Sequence, residues 1–367
     1  MITLDGSHGE GGGALVRVAL ALSTLTNQPF HVTNIRANRP QPGLKAQHLA
    51  AIHALKQICN AQTNDIQLGS SELLFTPGKI KGGKYEFDIG TAGSITLFLQ
   101  AILLPCLFAP SKITLTIKGG TSGKWQASVD YLQHLLLPQL ERFVEKINLK
   151  IIKRGYYPAG GGEIILEISP KYHLKEYSSF QEFSSTIQEK IPLIQLTNQG
   201  TLEQIRGIIN LSQQLEEKKV AERIKSAAES YLRDYKVPLS IRMEYANTKS
   251  IGGELIIWAI FSNNHNISEI NPILLAGDAL LEKHKSSEDV AKEAVAKLKQ
   301  SLAKACVDPH LADQLIMFMG LLPNSEIKCA DITPHTLTNI SIVETFLPVK
   351  FQINTNNIKT TTNQKDL

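Results

Sequence analysis

Apolar and polar residues alternate along the chain with two periods, one typical of strands and the other of helices. Segment 112–118 places Ile113, Leu115 and Ile117 on one face and threonines on the other, which predicts a half-buried strand. Further strands are predicted at 163–168, 241–245 and 254–261, the last of them apolar throughout and so buried on both faces. The helical period predicts helices at 13–26, 44–59, 93–108, 127–145, 214–235, 287–305 and 311–321.

Three segments of the chain repeat one local pattern. HGEGGGALVRVALAL (8–22) is similar to IGTAGSITLFLQAIL (89–103), since each is a glycine-rich turn followed by a strongly apolar helix. HLADQLIMFMGL (310–321) has the same apolar helix without the glycines. Three similar units predict a repeated α/β module, with chance similarity between glycine-rich turns as the alternative.

Polar stretches interrupt this pattern at three places. Segment 171–190 is polar and rich in serine, and segment 262–271 follows the strand that we expect to be buried. Between them we expect a compact α/β insertion of about 85 residues. The last stretch, 354–367 (NTNNIKTTTNQKDL), is polar and is expected to be a disordered tail.

Composition narrows the class of protein. The chain has 367 residues, of which 43% are hydrophobic and 20% charged, as in soluble globular proteins. Its net charge of +4 allows an anionic partner at one local site but excludes a polycation. The apolar run near Ile95 to Pro110 falls short of the ~18 unbroken apolar residues of a membrane span, and we expect a buried helix there. Four scattered cysteines and an N-terminus without a signal-peptide pattern favour a cytoplasmic protein with reduced thiols.

Polar residues inside apolar helices are the first candidates for function. Arg17 lies within ALVRVALAL, and a buried guanidinium requires a carboxylate or a bound anion. An internal ion pair with Glu10 or Asp88 is the structural alternative. Gln100 lies within ITLFLQAIL in the same way, whereas Asp313, near a helix start, is also explained by capping alone.

Glycine-rich and basic segments give a weaker indication of an anion site. Glycines before a helix, as at 9–13 and 90–93, let backbone N–H groups converge on an anion, although tight turns explain each cluster equally well. Segment 36–48 (RANRPQPGLKAQH) gathers basic side chains around a turn fixed by prolines. It is either a phosphate-recognition loop or an ordinary solvated turn. His335, before an apolar helix at Ile340–Phe346, could serve as a nucleophile, a base or a structural histidine.

Taken together, these segments resemble the RNA 3′-terminal phosphate cyclase family over residues 3 to about 353. The most specific stretch is RGYYPAGGGEI (154–164), which is similar to the family signature. Five other stretches resemble family blocks and occur in family order: LDGSHGEGGGALVR, NIRANRPQPGLKAQH, IGTAGSITLFLQ, HLADQL and HTLTNISIVETFLPVKF.

The resemblance implies an α/β fold of three repeated βαβαββ-type units, as in enolpyruvyl transferases, with a smaller inserted α/β domain. We therefore expect a discontinuous catalytic domain at 1–182 and 270–353, an inserted domain at 183–269 and the tail at 354–367. It also implies an activity, the ATP-dependent conversion of an RNA 3′-phosphate to a 2′,3′-cyclic phosphate through a histidine–AMP intermediate. The cofactors implied are ATP and Mg²⁺ or Mn²⁺, and the partners are RNA 3′-phosphate ends, with no membrane.

Site residues follow from the matching blocks. His335 matches the nucleophile, and Glu10 matches a position in the metal region. The positions matching the ATP site are Gln100, His310, Leu311, Ala312, Asp313 and Gln314. The positions matching the RNA phosphate site are Arg17, Arg36, Arg39, Gln47 and His48.

One departure from the family concerns the nucleotide. The family usually has a proline three residues before the aspartate that matches Asp130, and here Ala127 takes its place. Trp125 is then an alternative packing surface for the adenine.

Two other functions compete with the cyclase hypothesis: a non-catalytic relative that acts in RNA processing, and an enolpyruvyl-type transferase on the shared fold. The oligomeric state stays open, with a homodimer as one option.

Overall fold

The first of the three repeated units comprises four strands and two helices. The structure is a computed structural model that describes residues 1–9, 11–303 and 305–363. In chain order the elements are β1 (Ile2–Asp5), α1 (Ala14–Thr26), β2 (Phe30–Thr33), α2 (Ala46–Cys59), β3 (Gln62–Thr63) and β4 (Leu73–Thr76). The strands pair in the order β1-β2-β4-β3, with β1 and β2 parallel and the other pairs antiparallel.

The second unit has the same topology. Its elements are β5 (Gly83–Asp88), α3 (Ile95–Cys106), β6 (Ile113–Gly119), α4 (Val129–Tyr131), α5 (Leu137–Leu140), β7 (Val144–Lys153) and β8 (Gly162–Pro170). The sheet order is β5-β6-β8-β7, again with one parallel pair. Helix α6 (Phe180–Lys190) and β9 (Gln195–Leu196) follow.

An inserted domain separates β9 from the rest of the third unit. It comprises β10 (Thr201–Ser212), α7 (Val220–Leu232), β11 (Leu239–Ala246), β12 (Gly253–Ser262), β13 (Leu274–Leu280) and α8 (Ser287–Leu302). The third unit continues with α9 (Pro309–Leu321), β14 (Glu326–Lys328), α10 (Pro334–Phe346), β15 (Val349–Asn354) and β16 (Asn357–Thr362). The two sheets have the orders β11-β10-β12-β13 and β9-β14-β16-β15.

The three repeated units confirm the predicted fold class. Each sheet places its first and second strands side by side and parallel, and its fourth strand between the second and the third. Helices α1, α3 and α9 are the first helices of the three units, or the first after the insertion in the third, and they occupy the three similar segments. Every residue of α1 is buried because this helix packs between α3 and α10.

The inserted domain lies later in the chain than the predicted 183–269. Strand β9 pairs with β14, so residues 195–196 belong to the third unit. Strand β13 pairs antiparallel with β12, and α8 packs on β13, so the insertion extends to residue 302. The polar stretch at 262–271 is mostly the connection between two paired strands. Such connections have the composition of domain linkers, which explains the error.

The predicted disordered tail is wrong for residues 357–362. These residues form β16, which pairs with both β14 and β15. Ile358 and Thr360 are fully buried in alternation with more exposed neighbours. The alternation of buried and exposed residues was not apparent in the sequence because one of the buried positions is a threonine. The segment therefore has the polar composition of a loop. Asn354 of the predicted tail ends β15, and residues 364–367 lie outside the described residues.

One predicted helix is interrupted, and one observed helix was not predicted. The predicted helix at 127–145 consists of α4, a π-helical turn at Leu132–Leu136, α5 and a 3₁₀ turn, and residues 144–145 already belong to β7. Pro138 lacks an N–H donor, and the π-helical turn precedes it, so the hydrogen-bond ladder is interrupted there. Conversely, α6 lies within 171–190, where the sequence showed no apolar period. Only Phe183 and Ile187 of this helix are buried.

Three further predictions concern the apolar run at 95–110, the cysteines and membrane-spanning helices. The apolar run at 95–110 contains the buried helix α3, as predicted. All four cysteines are buried free thiols. Among the described residues, no helix has the length and apolar character needed to cross a bilayer.

Candidate active site

A cavity of about 1030 Å³ lies where the repeated units and the inserted domain come together. The first unit contributes α1, α2 and the loop between β2 and α2, while the third unit contributes the start of α10. Six predicted site residues line this cavity: Arg17, Arg36, Arg39, Gln47, His48 and His335. Residues separated by more than 300 positions are therefore brought together, as the resemblance led us to expect.

The cavity is strongly cationic. Its described lining includes five arginine and lysine side chains, namely Arg17, Arg36, Arg39, Lys45 and Lys124, against one acidic side chain, Glu282. That carboxylate forms an ion pair with Lys124 at 2.9 Å. A concentration of guanidinium groups in a recess is suited to a phosphorylated ligand.

Arg17 joins the first two units at the cavity wall. Its Nε donates to Oε1 of Gln100 at 2.7 Å, and its side chain is only 7% exposed. The hydrogen bond fixes the guanidinium between α1 and α3. Because the amide oxygen of Gln100 is neutral, this contact orients Arg17 without cancelling its charge. Gln100, predicted to bind ATP, is thus at least a positioning residue for Arg17. Asp88, one of the ion-pair alternatives for Arg17, lines a separate cavity.

His48 presents an N–H donor inside the cavity. The backbone N–H of Lys45 donates to its Nδ1 at 3.0 Å, so the proton of the neutral ring is on Nε2. Nε2 is buried and has no hydrogen-bond partner within the described structure. Burial, followed by the charges of Arg17 and Arg36, lowers the pKa of His48 to about 3. The ring is therefore neutral at physiological pH, and Nε2–H can donate to an anionic oxygen.

Gly13 allows this arrangement. A Cβ atom at Gly13 would lie 2.4 Å from Nε2 of His48 and 2.8 Å from Nη1 of Arg17. The glycine before α1 therefore provides space for two cavity side chains, which is more than the tight turn that the sequence alone suggested.

The basic loop at 36–48 is an internally bonded turn that also lines the cavity. Nη1 of Arg36 donates to the carbonyl oxygens of Gln41 and Gly43 at 2.5 and 3.2 Å, so this side chain holds the turn together. Arg36 also lines the cavity with Arg39 and Lys45. Burial, reinforced by the charge of Arg39, lowers the pKa of Arg36. An anion that binds here would relieve the repulsion between the two guanidinium groups.

His335 is exposed in the first turn of α10. Thr333 caps this helix, and its hydroxyl donates to Oδ1 of Asp313 at 2.7 Å. The hydroxyl of Thr336 donates to the same carboxylate oxygen. Asp313 on α9 therefore holds the helix turn that carries His335. The N-terminal end of α10 also favours a negatively charged group beside the imidazole.

The predicted ATP segment, His310 to Gln314, forms the first turns of α9. Leu311 and Ala312 are fully buried, so their side chains belong to the core. The helix periodicity turns these two positions inward. The side chain of Gln314 donates to the carbonyl oxygen of His310 at 3.1 Å. None of the five residues lines the cavity that contains His335.

Glu10, the predicted metal position, lies outside the described residues. Within the described part of the chain, no three His, Cys, Asp or Glu side chains converge as metal ligands. These residues do not fit a metal held by protein ligands alone. Mg²⁺ commonly binds to one or two carboxylates together with substrate phosphates.

A buried polar network joins the second unit to the inserted domain beside the cavity. Arg154, the first residue of the signature stretch, donates to both oxygens of Asp130 and to both oxygens of Glu244. Asn210 donates to Asp130 and to Glu254, whose pKa is raised to about 8, chiefly by burial. The signature stretch therefore includes a residue that joins the second unit to the inserted domain. The sequence alone had not revealed this structural role.

Three repeated α/β units around a cationic cleft define an α/β protein built for a phosphorylated ligand. The sequence profile described as "RNA 3′-terminal phosphate cyclase" matches residues 8–353. The chain belongs to the RNA 3′-terminal phosphate cyclase family.

Several relatives support this membership over nearly full length. The chain is 39% identical over 354 residues to a Pyrococcus furiosus protein named RNA 3′-terminal phosphate cyclase, covering 96% of this chain and 95% of the relative. It is 40% identical over 358 residues to the Methanosarcina acetivorans protein of the same name, covering 96% and 97%. A Sulfolobus acidocaldarius protein of that name is 38% identical over 356 residues, with 96% and 97% covered. The predicted family and the enzyme class of that family are confirmed.

Proposed function

We propose that this protein uses ATP to convert an RNA 3′-terminal phosphate to a 2′,3′-cyclic phosphodiester, with His335 as the nucleophile. The observation that carries the proposal is the cavity that His335 lines together with the arginines of the first unit. Family membership supports the choice of RNA ends and ATP as substrates. Four buried free thiols support a reducing compartment, and we place the protein in the cytoplasm.

The first step proposed is nucleotidyl transfer to the protein. A ring nitrogen of His335 attacks the α-phosphorus of ATP, forming a P–N bond, and the bond to the β-phosphate oxygen breaks to release diphosphate. The attacking imidazole is neutral, and the adduct loses its remaining N–H proton to solvent as the P–N bond forms. The covalent intermediate divides one difficult reaction into easier ones. We assign the nucleotide to the side of Gln100, His310, Asp313 and Gln314, on the strength of the resemblance.

The second and third steps close the ring on the RNA. An oxygen of the 3′-phosphate attacks the phosphorus of the histidine–AMP adduct, and the imidazole leaves, giving RNA(3′)pp(5′)A. The neighbouring 2′-hydroxyl then attacks the 3′-phosphorus, loses its proton and expels AMP. This closure is intramolecular, since the ribose itself holds the nucleophile in place. Arg17, Arg36 and Arg39 would neutralise the charge that accumulates on the phosphates, and Nε2–H of His48 would add one hydrogen bond.

We further propose that Mg²⁺ or Mn²⁺ accompanies ATP. A divalent cation would supply charge neutralisation at the phosphates, with Glu10 as the protein ligand implied by the family. Nucleotidyl transfer to the protein, measured with the cation and again after a chelator has removed it, tests this part independently.

The decisive test is conversion of a defined RNA. An oligoribonucleotide with a labelled 3′-phosphate is incubated with the protein and ATP, and the product is treated with phosphatase. We expect an ATP-dependent product whose label resists phosphatase, together with release of AMP and diphosphate. If the label stays sensitive to phosphatase under all nucleotide and metal conditions, the proposed function is wrong.

A matched substrate separates the steps. An otherwise identical RNA that ends in a 2′-deoxynucleotide 3′-phosphate lacks the attacking hydroxyl. It should accumulate as the adenylylated end and yield no cyclic product. Cyclisation of this substrate would contradict the proposed third step.

A further inference from the structure

Three large apolar side chains are exposed at the rim of the cationic cavity. Trp125 is 93% exposed, Tyr157 is 78% exposed and Ile251 is 63% exposed, and all three line the cavity. Exposed apolar groups concentrated around a recess are typical of binding sites. The first two come from loops of the second unit and the third from the inserted domain.

These side chains stand on loops that hydrogen bonds connect. The backbone N–H of Thr121 donates to the carbonyl oxygen of Gly155 at 2.9 Å, which ties the Trp125 loop to the Tyr157 loop. The backbone N–H of Ala159 donates to Oγ of Ser250 at 3.0 Å, which ties the Tyr157 loop to the Ile251 loop. The aromatic rings are therefore presented from an ordered rim and need little rearrangement to bind.

The backbone of Trp125 adopts a costly conformation, and the burial of Tyr156 leaves Tyr157 outside the core. Trp125 has φ = 61°, a left-handed conformation that is uncommon for a bulky residue. Beside Tyr157, the ring of Tyr156 is buried, and its hydroxyl donates to Asn210 at 2.7 Å. The adjacent Tyr157 is left facing solvent. Neither exposed ring is explained by packing of the core.

The charge of the cavity decides what these rings bind. The rim surrounds the recess lined by Arg17, Arg36 and Arg39, whereas the predicted nucleotide residues on α9 do not line it. A flat apolar group attached to a terminal phosphate fits both features, and a nucleobase at an RNA end is such a group. The sequence offered Trp125 as a packing surface for the adenine, but the predicted nucleotide residues on α9 lie outside the lining of the cavity that Trp125 borders.

We propose that Trp125 and Tyr157 form a stacking platform for the bases at the 3′ end of the RNA substrate. The proposal rests on the proposed function, because it assigns the phosphate in the cavity to an RNA end. Stacking on aromatic rings accepts every base, since each base has a π face. The platform therefore gives affinity for a nucleotide end without preference for its sequence.

Tryptophan fluorescence reports directly on this contact. The chain has two tryptophans, and Trp258 is buried against His134, so Trp258→Phe leaves Trp125 as the single emitter. We expect quenching of Trp125 by an RNA with a 3′-phosphate. An RNA of equal length whose two terminal nucleotides are abasic should bind through its phosphates without quenching. A non-hydrolysable ATP analogue should also leave the emission unchanged. Equal quenching by the abasic RNA or by the analogue would overturn the proposal.

Binding measurements test the same contact without the Trp258 substitution. Trp125→Ala and Tyr157→Ala should each weaken binding of the RNA by roughly 5- to 100-fold, and Trp125→Phe should restore most of the loss. Binding of the abasic RNA and the KM for ATP should not change. Tyr231→Ala is the control, because Tyr231 is 38% exposed on α7 and lies outside the cavity lining. RNA affinities within twofold of wild type for both rim variants would overturn the proposal.

The wild-type protein separates failure of this proposal from failure of the proposed function. If wild type cyclises RNA and both rim variants behave like Tyr231→Ala, only the stacking platform is wrong. If wild type neither forms the AMP adduct nor cyclises RNA, the function itself is wrong, and the platform falls with it.

Discussion

The backbone N–H of Lys45 donates to Nδ1 of His48 at 3.0 Å, and this contact places the imidazole proton on Nε2, inside the cationic cavity. A protonated ring would lose that hydrogen bond and would face Arg17 and Arg36 as a third positive charge. His48 is therefore a fixed neutral donor, and its buried state links the stability of the fold to pH.

Replacing His48 should reduce the loss of unfolding free energy that acidification causes. The pKa of His48 is about 3 in the folded chain against an ordinary histidine pKa of 6.5, so the unfolded chain binds the proton first as the pH falls. Between pH 7 and pH 5 this residue should cost wild type about 2 kcal/mol of unfolding free energy. His48→Asn can still accept from Lys45 but does not titrate, and should lose about 2 kcal/mol less over that interval.

Urea unfolding at pH 7 and pH 5 measures this difference. His53→Asn is the control, because His53 is exposed on the same helix. It should keep the acid loss of wild type. An identical loss in His48→Asn and wild type would contradict the buried neutral state of His48.

The buried ion pair between Arg154 and Asp130 should be essential for stability. Arg154→Met leaves a fully buried carboxylate without its cation, which typically costs about 3 to 5 kcal/mol. Arg154→Lys should recover only part of the loss, because lysine cannot contact Asp130 and Glu244 through paired N–H groups. Denaturant unfolding gives the values.

An exposed ion pair of similar chemistry provides the comparison. Lys112 and Glu167 are 2.8 Å apart on the surface of the second sheet. Lys112→Met should cost less than about 1 kcal/mol. Equal costs for Lys112→Met and Arg154→Met would show that the joint between the second unit and the inserted domain contributes nothing special.

The hydroxyl of Thr336 should matter for the reactivity of His335. It donates to Asp313, which holds the first turn of α10 in place. Thr336→Val keeps the shape but removes this contact, and misplacement of the imidazole should slow transfer of AMP to the protein by on the order of 100-fold. Thr345→Val removes a hydroxyl near the other end of α10. That hydroxyl donates to the carbonyl oxygen of Ser341 in the same helix, so its loss should have little effect. Similar rates for the two variants, measured with labelled ATP, would refute a positioning role.

Much of the fold could be predicted from local pattern. The strand at 112–118 and the helices at 13–26 and 311–321 lie within two residues of the observed β6, α1 and α9, because their apolar periods are uninterrupted. The boundaries of the inserted domain could not be predicted. They depend on which strand pairs with β9 and β12, and composition carries no record of such long-range pairing.

Six of the predicted site residues line one cavity, but their contacts could not be predicted from the sequence. Arg17 and Gln100 were each conspicuous as polar residues in apolar helices, yet only the fold shows that they bond to each other. Leu311 and Ala312 were predicted to bind ATP because they belong to the matching HLADQ block, although helix periodicity places both side chains in the core. Tyr157 became informative only through its exposure at the cavity, which the sequence does not encode locally. Trp125 was conspicuous in the sequence beside Ala127, but its place at the cavity rim was not predictable.

Labelling of the protein by ATP tests the central claim most directly. Wild type, His335→Ala and the exposed-histidine control His53→Ala are incubated with ATP labelled at the α-phosphate and with Mg²⁺. The account predicts an acid-labile, alkali-stable adduct on wild type and the control, none on His335→Ala, and discharge of the adduct by RNA with a 3′-phosphate. Equal labelling of His335→Ala and wild type would contradict the assignment of His335 as the nucleophile.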